Sequence, residues 1–346
     1  MNPELIDLTA RLTTLFRECI GDPHARISGI EPLPGHAGVS YRFTYEGGGA
    51  GDARAAPLVL RLAPAGAPAT GPNDVARQGR IMAMLGGAAG TGTSPSGVPV
   101  PPILWYDDDP RWFGRPFFVA EFIAGDKPAL GERRFSADEM RRCSAAAASA
   151  AAALHRLDWR AWRHVFGEPV ELAGELDRLA RLLDRPTLEQ RLIARAPQLR
   201  ARLIATMPQR IRLGCVHGDF QWSNCLFRDH RLVALIDWEL AQTGAVLIDI
   251  GWLCMFSDRE SWATDDLLPA ACPLPDEIVD EYERALGDQI ERGDVGWFRA
   301  FAGYRFGVIT AFNLMLHRRG KRPDPMWETI ALSGPRLFER GLELLG

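Results

Sequence analysis

The apolar positions of this chain change period several times, and each change predicts an element. Leu5, Leu8, Leu12 and Leu15 fall on one helical face near the start. Residues 39–45 (VSYRFTY) and 58–62 (LVLRL) then alternate with period two, as strands joined by the glycine-rich tip GGGAGDARAA. A helix is expected over about 73–85, followed by a Gly/Thr/Ser/Pro stretch and two strand-like runs, VPVPPILWYDDD and RPFFVAEFIAG, around an acidic turn. Beyond Gly125 the pattern turns helical. Ser136 and Glu139 form a capping box ahead of an alanine-rich run ending in AAALHRLDW, and amphipathic helices follow over 171–207, interrupted at Pro186. Cys225–Arg228 and residues 231–236 are short apolar runs separated by the polar pair Asp229 and His230, which predicts a hairpin. The expected class is α+β, with a small strand-rich first part over 1–124 and a larger helical part over 125–346.

The composition fits a folded chain of that size: 346 residues, 47% hydrophobic and 24% charged. A formal net charge of -4 without a long basic run argues against nucleic acid as the main partner. The N-terminus lacks the basic leader and apolar core of a signal peptide, and no run reaches membrane-spanning length. Six cysteines show neither C-x-x-C pairing nor a disulfide framework, so a reducing cytoplasm is the expected location.

The chemistry concentrates in VHGDFQWSNCLFRDHRLVALIDWE, residues 216–239. His217, Asp219 and Asn224 keep the order and gaps of the catalytic loop H-R-D-x-x-x-x-N, in which the Asp takes a hydroxyl proton and the Asn holds magnesium. Asp237 supplies a second acid, and the hairpin would bring it back beside Asn224. Phosphoryl transfer requires an oriented hydroxyl and neutralised phosphate charge, for which a carboxylate base and hard oxygen ligands suffice. Any one of these residues alone is as well explained by a cap or turn; the spaced set is not. No G-x-G-x-x-G opens a helix after a parallel strand, which disfavours a dinucleotide-binding oxidoreductase.

HGDFQWSN followed by LIDWE resembles the aminoglycoside phosphotransferase and choline kinase family, whose signature is H-G-D-x-x-x-x-N, a strand, and I-D-[WF]-[ED]. The wording is most similar to the branch related to kinase domains fused to some acyl-CoA dehydrogenases. The resemblance implies a two-lobed protein-kinase-like fold with a small antiparallel-sheet N-lobe and a larger, mainly helical C-lobe. It also implies ATP or GTP as co-substrate, Mg2+, and a small-molecule hydroxyl acceptor. Gly35, Gly38 and Ser40 in LPGHAGVS would cover the nucleotide phosphates, a place where a plain hairpin turn fits as well. Arg61 would replace the basic residue, often Lys, that reaches the phosphates. The backbone of Glu121 and Ile123 would meet the adenine.

Two departures accompany the resemblance. Where relatives place a Glu to hold the strand's basic residue, Arg77 is followed by Gln78, whose amide would accept a bond from Arg61 without charge. The Gly-Asp-Pro before the family's next acid has become Gly244-Ala245-Val246, so Asp249 is read as structural, and His155 is assigned no chemistry. Glu239, Asp258, Glu260, Asp265 and Asp266 suit either a cationic acceptor or a solvated loop. Trp252, Trp262 and Trp297 would frame an acceptor or fill the core. The expected function is Mg-dependent O-phosphotransfer from ATP or GTP to a small-molecule hydroxyl. The alternative is a nucleotide-binding pseudokinase or regulatory module, favoured by Gln78.

Overall fold

The leucine stripe at the N-terminus forms helix α1 (Pro3–Glu18) in the computed structural model, which describes residues 3–33, 39–47, 54–66, 68–86, 96–185, 187–264, 267–268 and 271–346. Leu8, Leu12, Leu15 and Phe16 are buried against an antiparallel sheet. Its strands are β1 (Arg26–Leu33), β2 (Val39–Gly47), β3 (Arg54–Leu62), β4 (Ile103–Asp107) and β5 (Phe117–Glu121), in the order β1-β2-β3-β5-β4. Strand β1 has no counterpart in the sequence reading, because its burial does not alternate cleanly and a register shift falls between Ser28 and Glu31. In β2 and β3 the alternation holds: Tyr41, Phe43, Leu58, Leu60 and Leu62 enter the core, which puts Arg61 on the opposite face.

That opposite face meets α2 (Val75–Gly86), which packs on β4 and β5. A Cβ at Gly79 would lie 2.7 Å from Cβ of Tyr106 and 2.8 Å from Cβ of Phe118, so glycine permits the close approach. The expected acidic turn contains one helical turn, α3 (Pro110–Phe113), because the Asp109 side chain caps it by accepting the Arg111 N–H. Met1–Ala124 and Ile236–Leu240 form one compact unit, and Gly125–Leu235 and Ala241–Gly346 form the other.

The second unit is mainly helical. Helix α4 (Ala137–His155) starts at the predicted capping box, with both reciprocal bonds of Ser136 and Glu139 present. Its alanines are largely buried, and the small side chains admit close packing by α10 (Pro275–Leu286). Between these come α5 (Trp159–Phe166), α6 (Leu172–Leu183), α7 (Gln190–Ile193), α8 (Ala196–Ala205) and α9 (Leu247–Ser257). The chain closes with α11 (Arg292–Arg318), α12 (Met326–Ile330) and α13 (Gly334–Leu345). Gly251 of α9 sits against the α11 backbone; a Cβ there would lie 2.6 Å from the Phe298 carbonyl. Pro186 lies outside the described residues.

Two short ribbons carry the motif. Strand β6 (Leu213–Val216) pairs antiparallel with β9 (Gln242–Ala245), and β7 (Cys225–Arg228) pairs with β8 (Arg231–Leu235). The predicted hairpin turns at Asp229 and His230, both left-handed at φ 50° and 62°. All six cysteines are free. No helix among the described residues is long and apolar enough to cross a membrane.

Candidate active site

The motif residues fall in both compact units, and each group is built within its own. In the helical unit, β6 delivers the chain into His217 and Gly218, whose backbone N–H groups both donate to Asp249 at 2.8 Å. Asp249 lies in the first turn of α9 and is fully buried. Burial pushes its carboxyl up. The His155 bond, the His155 and His217 rings and the His217 N–H outweigh that and hold it below its ordinary value. His155 Nε2 meets Asp249 Oδ2 at 3.1 Å, and its Nδ1 meets the Tyr282 hydroxyl at 2.8 Å. The structural reading of Asp249 therefore holds, and His155 serves the same loop through it.

Asp219 follows, partly buried, and Gln221, Trp252 and Asn224 hold its carboxylate. Oδ1 accepts the Gln221 amide and the Trp252 indole N–H, each at 2.8 Å. Oδ2 accepts the Asn224 amide at 2.8 Å, and Asn224 also donates to the Asp219 carbonyl at 2.9 Å. A 3-10 turn, Trp222–Asn224, makes this possible by folding the chain back within five residues. Asn224 thus aims its nitrogen at Asp219, which leaves its carbonyl oxygen on the opposite edge of the planar amide.

In the sheet unit, Arg61 leaves β3 with 15% of its side chain exposed and approaches Asp237 Oδ1 at 3.4 Å and Glu239 Oε2 at 3.6 Å. Asp237 is left-handed at φ 66°, a conformation uncommon for a residue with a Cβ, just before the buried Trp238. The expected bond between Arg61 and Gln78 is absent. Gln78 is 2% exposed and donates its amide to the Pro72 carbonyl at 3.0 Å, so it ties the start of α2 to the 3-10 turn before it. The arginine finds its anions instead in the LIDWE segment.

The remaining expectations divide. Glu121 ends β5 with its N–H bonded to the Pro102 carbonyl, and Ile123 follows the strand half-buried. Ser40 is half-buried in β2, opposite Arg61 in the register, whereas Gly35 and Gly38 lie outside the described residues. Asp265 and Asp266 lie outside them too. The described acids of that region are taken by arginines: Asp258 by Arg299 at 2.7 Å and Arg340 at 2.9 Å, Glu260 by Arg336 at 3.3 Å. Trp252, Trp262 and Trp297 are all buried. Arg305 and Glu175 were missed by the sequence reading. A lone arginine inside the apolar run AFAGYRFGVIT was the available signal.

Comparisons with known proteins add to this geometry. A profile of the phosphotransferase enzyme family matches residues 29–297. The chain is 28% identical over 325 residues to mouse acyl-CoA dehydrogenase family member 10, covering 82% of this chain and 28% of that protein. It therefore spans less than a third of that relative's length. Among solved structures, a Ralstonia eutropha protein provisionally named an aminoglycoside phosphotransferase superposes with a TM-score of 0.74 at 22% identity, covering 97% of this chain and 98% of the other. A thermostable mutant of aminoglycoside phosphotransferase APH(4)-Ia, solved as a ternary complex with ADP and hygromycin B, superposes with a TM-score of 0.57 at 15% identity over 96% and 97%. These likenesses establish the two-lobed kinase-like fold.

Proposed function

Because the chain belongs to the phosphotransferase enzyme family, we propose that it transfers the γ-phosphoryl group of ATP or GTP to a hydroxyl of a small molecule. The observation that carries this reading is the carboxylate of Asp219, fixed by Gln221, Trp252 and Asn224. A carboxylate held in one orientation by neutral donors can align a hydroxyl and accept its proton as the oxygen attacks phosphorus. The new O–P bond forms as the bond to the β–γ bridging oxygen breaks, the proton passes to Asp219, and the nucleoside diphosphate leaves.

Asn224 and Asp237 are the residues that would hold magnesium. Their chemistry fits it. An amide oxygen turned from Asp219 and a partly exposed carboxylate are hard donors, and two of them leave room for the water and phosphate ligands magnesium prefers. Bound there, the ion would supply neutralisation of phosphate charge. Arg61, paired with Asp237 and Glu239, is a guanidinium that phosphate oxygens can engage by exchange of partners. Main-chain groups of Glu121 and Ile123 are proposed to meet the base, and Gly35, Gly38 and Ser40 the phosphates. ADP in the APH(4)-Ia complex supports a nucleotide co-substrate. The arginine pairing of Asp258, Glu260 and Glu239 weighs against a polycationic acceptor.

The test is calorimetric titration with ATP and GTP, with and without magnesium. It is joined to a γ-phosphate transfer screen over aminoglycosides, macrolides, choline-type amines, sugars and hydroxyacyl-CoA compounds. Transfer to one class supports the reading. Metal-dependent binding without transfer across the panel supports a nucleotide-binding module instead.

A further inference from the structure

Helix α11 buries an arginine directly beneath the catalytic loop. Arg305 is 4% exposed, donates Nη1 to the Gly218 carbonyl at 2.8 Å, and sets its guanidinium carbon 4.8 Å from the centre of the Trp252 ring. Glu175 of α6 supplies the counter-charge, with its Oε1 3.8 Å from Arg305 Nε. That is too long for a hydrogen bond, and Nε has no hydrogen-bond partner among the described residues. Glu175 instead bonds Arg178 at 2.8 and 2.6 Å.

As a contribution to stability this arrangement is poor. Desolvating a guanidinium costs several kcal/mol, which one carbonyl, a distant carboxylate and the Trp252 ring offset only in part. What the arginine does have is an address: it touches the peptide before Asp219 and the ring that bonds the Asp219 carboxylate.

We propose that Trp252 and Arg305 are positioning residues for phosphoryl transfer, the indole N–H fixing the Asp219 carboxylate and the guanidinium fixing both the ring and the Gly218 peptide. This rests on the reading of Asp219 as the base. The loop is then held from two sides. Asp249 takes the His217 and Gly218 N–H groups, while Arg305 takes the Gly218 carbonyl, so both polar groups of that peptide unit's residue are fixed. The carboxylate beyond it is fixed by Trp252 from α9, whose ring is packed against Arg305, Phe256 and Phe306. Gln221 and Asn224, by contrast, belong to the loop they brace.

Trp252→Phe keeps an aromatic ring in this cluster and deletes the N–H, with a smaller ring whose packing cost the thermal midpoint reads. Single-turnover release of γ-phosphate to water from MgATP and MgGTP is the probe, with the nucleotide KM and thermal midpoint measured alongside. The expected result is a fall of roughly ten- to hundred-fold in the rate, the loss of a hydrogen bond to a charged group. KM should stay within about twofold, since uniform binding is untouched. In an Asp219→Asn background the same substitution should cost much less, because the two residues act as a unit. Arg305→Met, which keeps the stem and removes the charge, should lower the rate even where the variant is still folded, and its thermal midpoint should fall as well because the Gly218 carbonyl loses its donor.

A Trp252→Phe rate equal to wild type, or the same fold-loss with and without Asp219, overturns the proposal while the base survives. An Asp219→Asn rate equal to wild type, or no phosphate release from the wild type, removes the base itself and the proposal with it.

Discussion

Asn224 donates its side-chain amide both to the backbone carbonyl of Asp219, at 2.9 Å, and to its carboxylate, at 2.8 Å. The proposed base and one proposed metal ligand thus orient each other. The five-residue gap between them is the length one 3-10 turn needs to close that contact.

Asp237 is the other proposed metal ligand, and its pairing with Arg61 makes two effects separable. Asp237→Ala should weaken nucleotide binding in magnesium by roughly tenfold or more, since even outer partners of a metal site cost 10–100-fold. In magnesium-free buffer the loss should be small, because Arg61 keeps Glu239. Calorimetric titration under both conditions checks this; an equal loss in each would take Asp237 out of the metal site.

Gln78→Glu should destabilise the protein. The amide is buried and donates to the Pro72 carbonyl, so a carboxylate there would set acceptor against acceptor. The expected cost is about 1–3 kcal/mol, read as a lower thermal midpoint, with no gain in nucleotide affinity. A stable variant with tighter nucleotide binding would show that the new acid reaches Arg61.

The fate of Gln78 shows where the sequence stops being informative. HGDFQWSN, its gap to LIDWE and the two-residue hairpin are local, and local spacing determines which side chains can meet. The partner of Arg61, Asp237, lies 176 residues away, beyond the reach of local spacing, whereas the expected partner Gln78 rests on the family resemblance alone. The contacts that Trp252 and Arg305 make with the loop were illegible for the same reason. A tryptophan in LIDIGWLCMF looks like core until the helix is placed against the loop. Strand β1 was missed because its register shift breaks the alternation that identifies a strand.

Asp249 gives a dependence on pH. Its carboxyl is held below its ordinary value of 3.8, so its contribution is complete above that value and is lost as the pH falls through the lowered folded value. Asp249→Ala should cost about 3–5 kcal/mol at neutral pH by leaving the His217 and Gly218 N–H groups buried without their acceptor. The thermal midpoints of wild type and variant should converge in acid. A constant difference down to the lowest measurable pH would mean that the charge is not what holds the loop.

The central claim is that Asp219 removes a proton while phosphate is transferred. Asp219→Asn keeps the shape and withdraws the base, so single-turnover transfer of γ-phosphate should fall by roughly 10²–10⁴-fold, with nucleotide affinity nearly unchanged. Transfer by Asp219→Asn within a few-fold of wild type, at equal nucleotide occupancy, would contradict the account.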